Sequence, residues 1–112
     1  MKLFVDDERT APAGPEWITV RNATDAIRLL NAFSFEEVSL DHDLGPKEAG
    51  NGYEVICYIE ENVHDFYWRM PKIKIHTANP SARVKMELAL ESINRWAAAM
   101  QESVKRKLHG AP

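Results

Sequence analysis

The sequence predicts an α/β domain, a three-layer sandwich built on a parallel sheet, and three observations carry that prediction. Short apolar runs at residues 2–5, 37–40 and 72–75 each stop abruptly at polar or acidic residues, as buried strands emptying into loops do. Between and after them lie stretches with helically spaced apolar residues, and strands alternating with helices form parallel sheets through right-handed crossovers. The last part of the chain is rich in helix formers and leaves no apolar run for a regular fifth strand.

The first strand, residues 2–5, ends at Asp6, Asp7, Glu8 and Arg9. Pro12, Gly14 and Pro15 then break regular structure, and residues 18–20 offer a brief second strand. Thr24 or Asn22 caps a helix whose core positions are Ile27, Leu30 and Phe33, ending near Ser34. The third strand, residues 37–40, enters Asp41-His42-Asp43-Leu44-Gly45. A loop containing Gly45, Gly50 and Gly52 leads to a helix carrying Tyr53, Ile56, Tyr58 and Ile59 as far as about Val63. Pro71 precedes the fourth strand, residues 72–75, which runs into His76-Thr77-Ala78-Asn79-Pro80, and Pro80 suits the first turn of a helix. Residues 81–108 are helical, with Val84, Leu88, Trp96, Met100, Val104 and Leu108 largely at i, i+4 spacing, as one helix or as two broken near residues 92–95.

A chain of 112 residues is the size of one domain that folds alone, here 1–112, with 91–112 as a helical extension. Its 45% hydrophobic and 28% charged residues call for a packed core rather than disorder. A net charge of -3 with dispersed acids argues against binding duplex DNA. The only cysteine, Cys57, lies among Val55, Ile56 and Ile59 and reads as a buried thiol. The first residues reach charge too soon for a signal peptide and no apolar run approaches a membrane span, so a cytoplasmic location without membrane contact is expected.

Asp6, Asp7, Asp41 and Asp43 follow two different strands. In open parallel sheets, ligands sit outside the carboxyl ends of the strands, near the point where strand order reverses. Carboxylates crowded there repel and raise one another's pKa values unless a cation sits among them, so these four are the expected metal ligands. A hard oxygen site favours Mg²⁺ or Mn²⁺, and the nearby histidines shift the preference toward Mn²⁺ or another transition metal. Asp41 and Asp43, two apart, share a face if the extended conformation persists, with His42 on the other.

Thr77, and Asn79 beside the helix start at Pro80, could donate to a bound phosphate, as alternatives to plain capping roles. Arg9 could clamp a phosphate bidentately or pair with Glu8 or Asp7. His76 could act as general acid or base. Trp17, Trp68 and Trp96, with Phe66 and Tyr67, read as core or helix-covering residues, although Trp17, in the loop after the first strand, could stack on a base. His64 and His109 suggest no role.

Asp6-Asp7 after the first strand, Leu40-Asp41 with Gly52 downstream after the third, and Thr77-Ala78 after the fourth resemble the receiver domain of response regulators over residues 2 to about 90. The resemblance implies a receiver-like (flavodoxin-like) sheet, Mg²⁺ on the paired acids, phosphoryl transfer to Asp41 and sensing by Thr77. The receiver lysine that closes the fifth strand has no counterpart here. The fuller strings Asp6-Asp7-Glu8-Arg9, Asp41-His42-Asp43-Leu44-Gly45 and His76-Thr77-Ala78-Asn79-Pro80 are similar to the divergent cyclic-phosphate-processing receiver group. That resemblance implies action on cyclic phosphate ends of RNA or related nucleotides.

The expected function is therefore a metal-dependent phosphoesterase opening a cyclic phosphate. Asp6, Asp7 and Asp41 hold the metal and Asp43 supports them. His76 or His42 moves protons, while Arg9, Thr77 and Asn79 hold substrate. The alternative is an inactive receiver-like module whose carboxyl helix forms a homodimer or docks a partner through Trp96, Met100, Val104 and Leu108.

Overall fold

The structure, a computed structural model, describes residues 1–65 and 68–110, so Phe66 and Tyr67 lie outside the described residues. Lys2–Val5 (β1), Trp17–Val20 (β2), Glu37–Leu40 (β3) and Lys72–Ile75 (β4) pair in parallel in the order β2-β1-β3-β4. Ala23–Ala32 (α1), Gly52–Asn62 (α2) and Pro80–Leu108 (α3) are the helices, with a short 3-10 turn at Lys47–Ala49. The parallel receiver-like sheet and the long carboxyl helix are those the sequence predicts, and no fifth strand forms among the described residues.

Register fixes which side chains share a face. Leu3, Val38 and Ile73 stand opposite one another, as do Val5, Leu40 and Ile75 two positions on. Alternate strand residues point the same way, so these form one apolar face. They merge with Ala26 and Leu30 of α1, Val55, Ile56 and Ile59 of α2, and Met86 and Ile93 of α3 in a single core. The other face carries Lys2, Phe4, Glu37, Ser39, Lys72 and Lys74. All three helices thus pack on the apolar face, and the layering is two rather than the expected three. The cause is the connection between β1 and β2, residues 6–16, whose prolines and glycine form no helix to cover the polar face.

Local chemistry explains the helix ends. Asn22, not Thr24, caps α1, its side-chain oxygen accepting from the Asp25 N–H at 2.8 Å. Phe33 becomes the C-cap and is 55% exposed rather than a core position, because α1 stops at Ala32 and its buried face is Ala23, Ala26 and Leu30. Asn51 caps α2 in the same manner, by accepting from Glu54 N–H at 3.1 Å. Cys57 is half-buried, on the flank of α2 rather than on its core face of Val55, Ile56 and Ile59. Trp17 heads β2 instead of lying in a loop, and meets Phe4 edge-on with ring centroids 6.0 Å apart.

α3 is one helix of 29 residues with Pro80 in its first turn and Lys105, Arg106 and Lys107 in its last, where cations favour the carboxyl end of the dipole. Its core contacts come from Ala82, Met86 and Ile93. The expected stripe turns out differently: Val84, Leu88, Trp96 and Leu108 are exposed. Ala97, Met100 and Val104 are half-buried beside a groove of 560 Å³ completed by Val63, Trp68 and Met70. Among the described residues, no helix is long and apolar enough to cross a membrane.

Candidate active site at the carboxyl edge of the sheet

The parallel register delivers the three polar strings to one rim. The Asp41 N–H donates to Val5 O and the His76 N–H to Leu40 O, both at 2.9 Å, so the residues following β1, β3 and β4 sit side by side. Phe4, Ser39 and Lys74 form one row on the polar face, and Asp6, Asp41 and His76 follow them by two positions.

His76 is held on several sides. Its Nε2 lies 2.9 Å from Asp6 Oδ2 and its Nδ1 2.7 Å from Ser39 Oγ. Its ring stacks on Phe4, centroids 4.7 Å apart and 3° from parallel. Asp6 is buried, and its Oδ1 accepts from the backbone N–H groups of Glu8 at 2.9 Å and Arg9 at 2.8 Å. Burial alone would push the Asp6 carboxyl up, but the Arg9 and Glu8 N–H groups and His76 outweigh it and hold the carboxyl below its ordinary value. Hydrogen bonding to the charged form, rather than the carboxylate repulsion expected from the sequence, governs this residue.

Asp41 is buried at the rim, with Oδ1 accepting from the His42 N–H at 2.7 Å and Oδ2 accepting no hydrogen bond among the described residues. Ligand atoms of Asp6, Asp41 and His76 lie within 4.8 Å of one another. Two carboxylate oxygens and an imidazole nitrogen at that spacing fit a divalent cation, and the open oxygen of Asp41 can face such an ion without giving up a hydrogen bond.

The remaining expected residues distribute around this group. Asp7 stays at the rim beside the turn after β3, its Oδ2 being 3.5 Å from where a Cβ on Gly45 would stand. Asp43 does not share a face with Asp41, because β3 ends at Leu40 and Asp43 bridges to Asn51. Its carboxylate turns outward, 63% exposed, onto His42 Nδ1 at 2.8 Å. Gly52 makes this loop possible: its N–H donates to His42 O at 2.9 Å, and a Cβ there would collide with the Asp41 carbonyl.

Arg9 donates from Nη1 to the His76 carbonyl at 2.6 Å, and its Nε stands 3.9 Å from Asp6 Oδ2, so it ties two motifs together instead of pairing with Glu8 or Asp7. Thr77 is buried and its Oγ1 accepts from the Asn79 N–H at 3.2 Å. Asn79 caps α3, its Oδ1 accepting from Ala82 N–H at 3.1 Å.

The family model of the cyclic-phosphate processing receiver domain matches residues 1–92. The chain belongs to that family. No curated protein and no solved structure matches the chain. All three motif strings of this cyclic-phosphate processing receiver domain, and the rim they build, fall inside the matched residues, while the final turns of α3 lie beyond them.

Sequence reasoning missed three groups of this receiver domain's site. Ser39 was hidden in an apolar run, although a polar residue within a buried strand, two before Asp41, is itself a signal. Arg21 donates from Nη1 to the carbonyls of Asp6 at 2.9 Å and Arg9 at 3.0 Å. Arg83 donates from Nη2 to Thr77 O at 2.9 Å. Both brace the loop backbone, and nothing in their spacing along the chain announces it.

Proposed function

We propose that this domain is a metal-dependent phosphoesterase that opens a cyclic phosphate on a nucleotide or an RNA end. The observation that carries the reading is the convergence of Asp6, Asp41 and His76 donor atoms within 4.8 Å at the rim of a cyclic-phosphate processing receiver domain. A divalent cation, Mg²⁺ or Mn²⁺, supplies charge withdrawal from a phosphoryl oxygen and a water of lowered pKa when bound there.

The chain's own residues do the rest. Asp6 and Asp41 provide the negative charge and His76 Nε2 a third donor, with Asp7 and Asp43 setting the acidic surroundings. The Thr77 hydroxyl, whose oxygen accepts from Asn79 N–H, keeps its own hydrogen to donate to a phosphate oxygen. Arg9, half-exposed and anchored through Nη1, presents its remaining guanidinium hydrogens to the same group, beside the amino end of α3 capped by Asn79. His42, oriented by Asp43 on Nδ1, has Nε2 without a hydrogen bond among the described residues. It gives a proton to the sugar oxygen that leaves as the ring P–O bond breaks, while the water that adds to phosphorus loses its proton to solvent, from which His42 is reprotonated.

The test is hydrolysis of 2′,3′-cyclic nucleotides and of oligoribonucleotides ending in a cyclic phosphate, with Mg²⁺ or Mn²⁺, for the wild type and Asp41→Asn. Loss in the variant supports the reading, and equal turnover removes Asp41 from it. The exposed Trp96 and Leu108 favour a second reading, a module that pairs with another copy through α3 without turnover.

A further inference from the structure

Ser39 has no place in the chemistry described so far, yet it makes one of the shortest side-chain contacts at the rim. It is buried in β3 on the polar face of the sheet, and its hydroxyl oxygen is 2.7 Å from His76 Nδ1. The opposite ring nitrogen, Nε2, is 2.9 Å from Asp6 Oδ2. Phe4, in register with Ser39, covers the ring face. The imidazole is therefore fixed in position, tilt and rotation by three groups from β1, the loop after it, and β3.

We propose that Ser39 is a positioning residue that holds His76 as a nitrogen ligand, so that this site takes Mn²⁺ or a later first-row cation in preference to Mg²⁺. The inference rests on the reading above that the rim holds a cation. An ionised carboxylate can only accept, so in the neutral ring Nε2 carries the hydrogen given to Asp6, and Nδ1 accepts from the Ser39 hydroxyl. A cation on Nε2 requires that hydrogen on Nδ1 instead. The ring keeps one hydrogen throughout, exchanged through solvent from Nε2 to Nδ1, and no net proton is gained or lost.

Ser39 must then change from donor to acceptor. A hydroxyl does so by rotating its hydrogen, without moving its oxygen. A carboxylate could not donate in the first state, and a lysine could not accept in the second. Serine at this position therefore serves the ring both without and with a cation. Partners on the far nitrogen of a ligating histidine fix its orientation and raise its affinity for the ion. Imidazole suits Mn²⁺ and the ions after it, whereas Mg²⁺ is best served by oxygen alone.

The experiment uses the 112-residue chain, freed of metal, and measures binding of Mn²⁺ and Mg²⁺ by isothermal titration calorimetry for wild type, Ser39→Ala and Ser39→Thr. Wild type is expected to bind Mn²⁺ about tenfold or more tightly than Mg²⁺. Ser39→Ala is expected to lose roughly 10- to 100-fold in Mn²⁺ affinity with a much smaller change for Mg²⁺, and Ser39→Thr, which restores the hydroxyl, to recover most of it. With Zn²⁺ as a diamagnetic probe, the nitrogen-15 shifts of His76 should move to the form hydrogenated at Nδ1. Cation binding with equal Mn²⁺ affinity in wild type and Ser39→Ala, or no selectivity over Mg²⁺, overturns this inference and leaves the phosphoesterase reading standing. Failure of any divalent cation to bind overturns both.

Discussion

The Nε2 of His76 lies 2.9 Å from the Oδ2 of Asp6, although the two residues are 70 positions apart in the chain. Parallel pairing makes that contact possible, because β1 and β4 flank β3 and all three strands end at the same rim. Asp41 completes the group from the strand between them, and the expected consequences can be measured one at a time.

Asp41→Asn keeps the shape of the side chain but removes its charge. If the cation is held as proposed, turnover of a 2′,3′-cyclic nucleotide should fall by about 100-fold or more, the upper end of what disturbing a ligand's surroundings costs. Chelation should abolish wild-type turnover and added Mn²⁺ restore it. Steady-state kinetics on matched protein samples checks both.

The Asp6 carboxyl is held below its ordinary value in the folded chain, so acid acts on the unfolded state first. Its contribution to stability is present above the unfolded value of about 4 and is lost as pH falls through the lower folded value. Urea unfolding in chelator should show Asp6→Asn less stable than wild type near neutral pH by about 1–3 kcal/mol, the cost of disturbing a buried hydrogen-bonded group. That gap should narrow steadily once the pH drops below about 4. A gap independent of pH would mean the Asp6 charge plays no part.

Gly52→Ala places a methyl group against the Asp41 carbonyl, where the obstacle is backbone and cannot swing away. The amino end of α2 must shift, at a cost of about 1–3 kcal/mol. Because the same backbone carries Asp41, cation affinity should fall together with thermal stability, and calorimetry of both quantities on one preparation tests the coupling.

Asn79 is a helix cap by geometry, accepting from Ala82 N–H at 3.1 Å. Asn79→Ala should lower stability by about 1 kcal/mol, and Asn79→Ser should restore most of it. If Asn79 also holds substrate, as the sequence suggests, Asn79→Ser will recover stability while KM for the cyclic phosphate stays raised.

The second reading turns on α3. Trp96 is 52% and Leu108 77% exposed, and the groove beside Ala97, Met100 and Val104 is unfilled by the described residues. If those faces pair, light scattering will give a dimer for the full chain and a monomer for a chain ended after Arg95. A full-length monomer at high concentration sinks that reading.

Much of the strand and motif placement along the chain was legible without coordinates. Apolar runs that stop at acid, as at Val5-Asp6 and Leu40-Asp41, mark strand ends directly, because an unpaired charge among the apolar core residues is costly. Asn22 and Asn79 were candidate helix caps through their side-chain chemistry, each alongside a threonine candidate, whereas the cap at Asn51 was not picked out. Periodicity was less informative for α3, since i, i+4 spacing of Val84, Leu88 and Trp96 says that a helix has an apolar stripe but not that a partner covers it. The two-layer arrangement was equally hidden, because it follows from residues 6–16 failing to form a helix on the polar face.

By itself, then, the sequence determined the residue types, the parallel sheet and the family motifs, all of which depend on local patterns of apolarity, capping and acid. Tertiary structure alone decided which of the acids stand together. Asp43 turns away to His42 once β3 has ended, whereas Asp6, Asp41 and His76 meet because neighbouring strands finish level with one another. It also drew Ser39 into the group, since only the pairing of β3 with β4 sets a hydroxyl at position 39 beside a ring at position 76. Distances between strands depend on register, which is a property of the whole sheet and is written in no single segment of the chain.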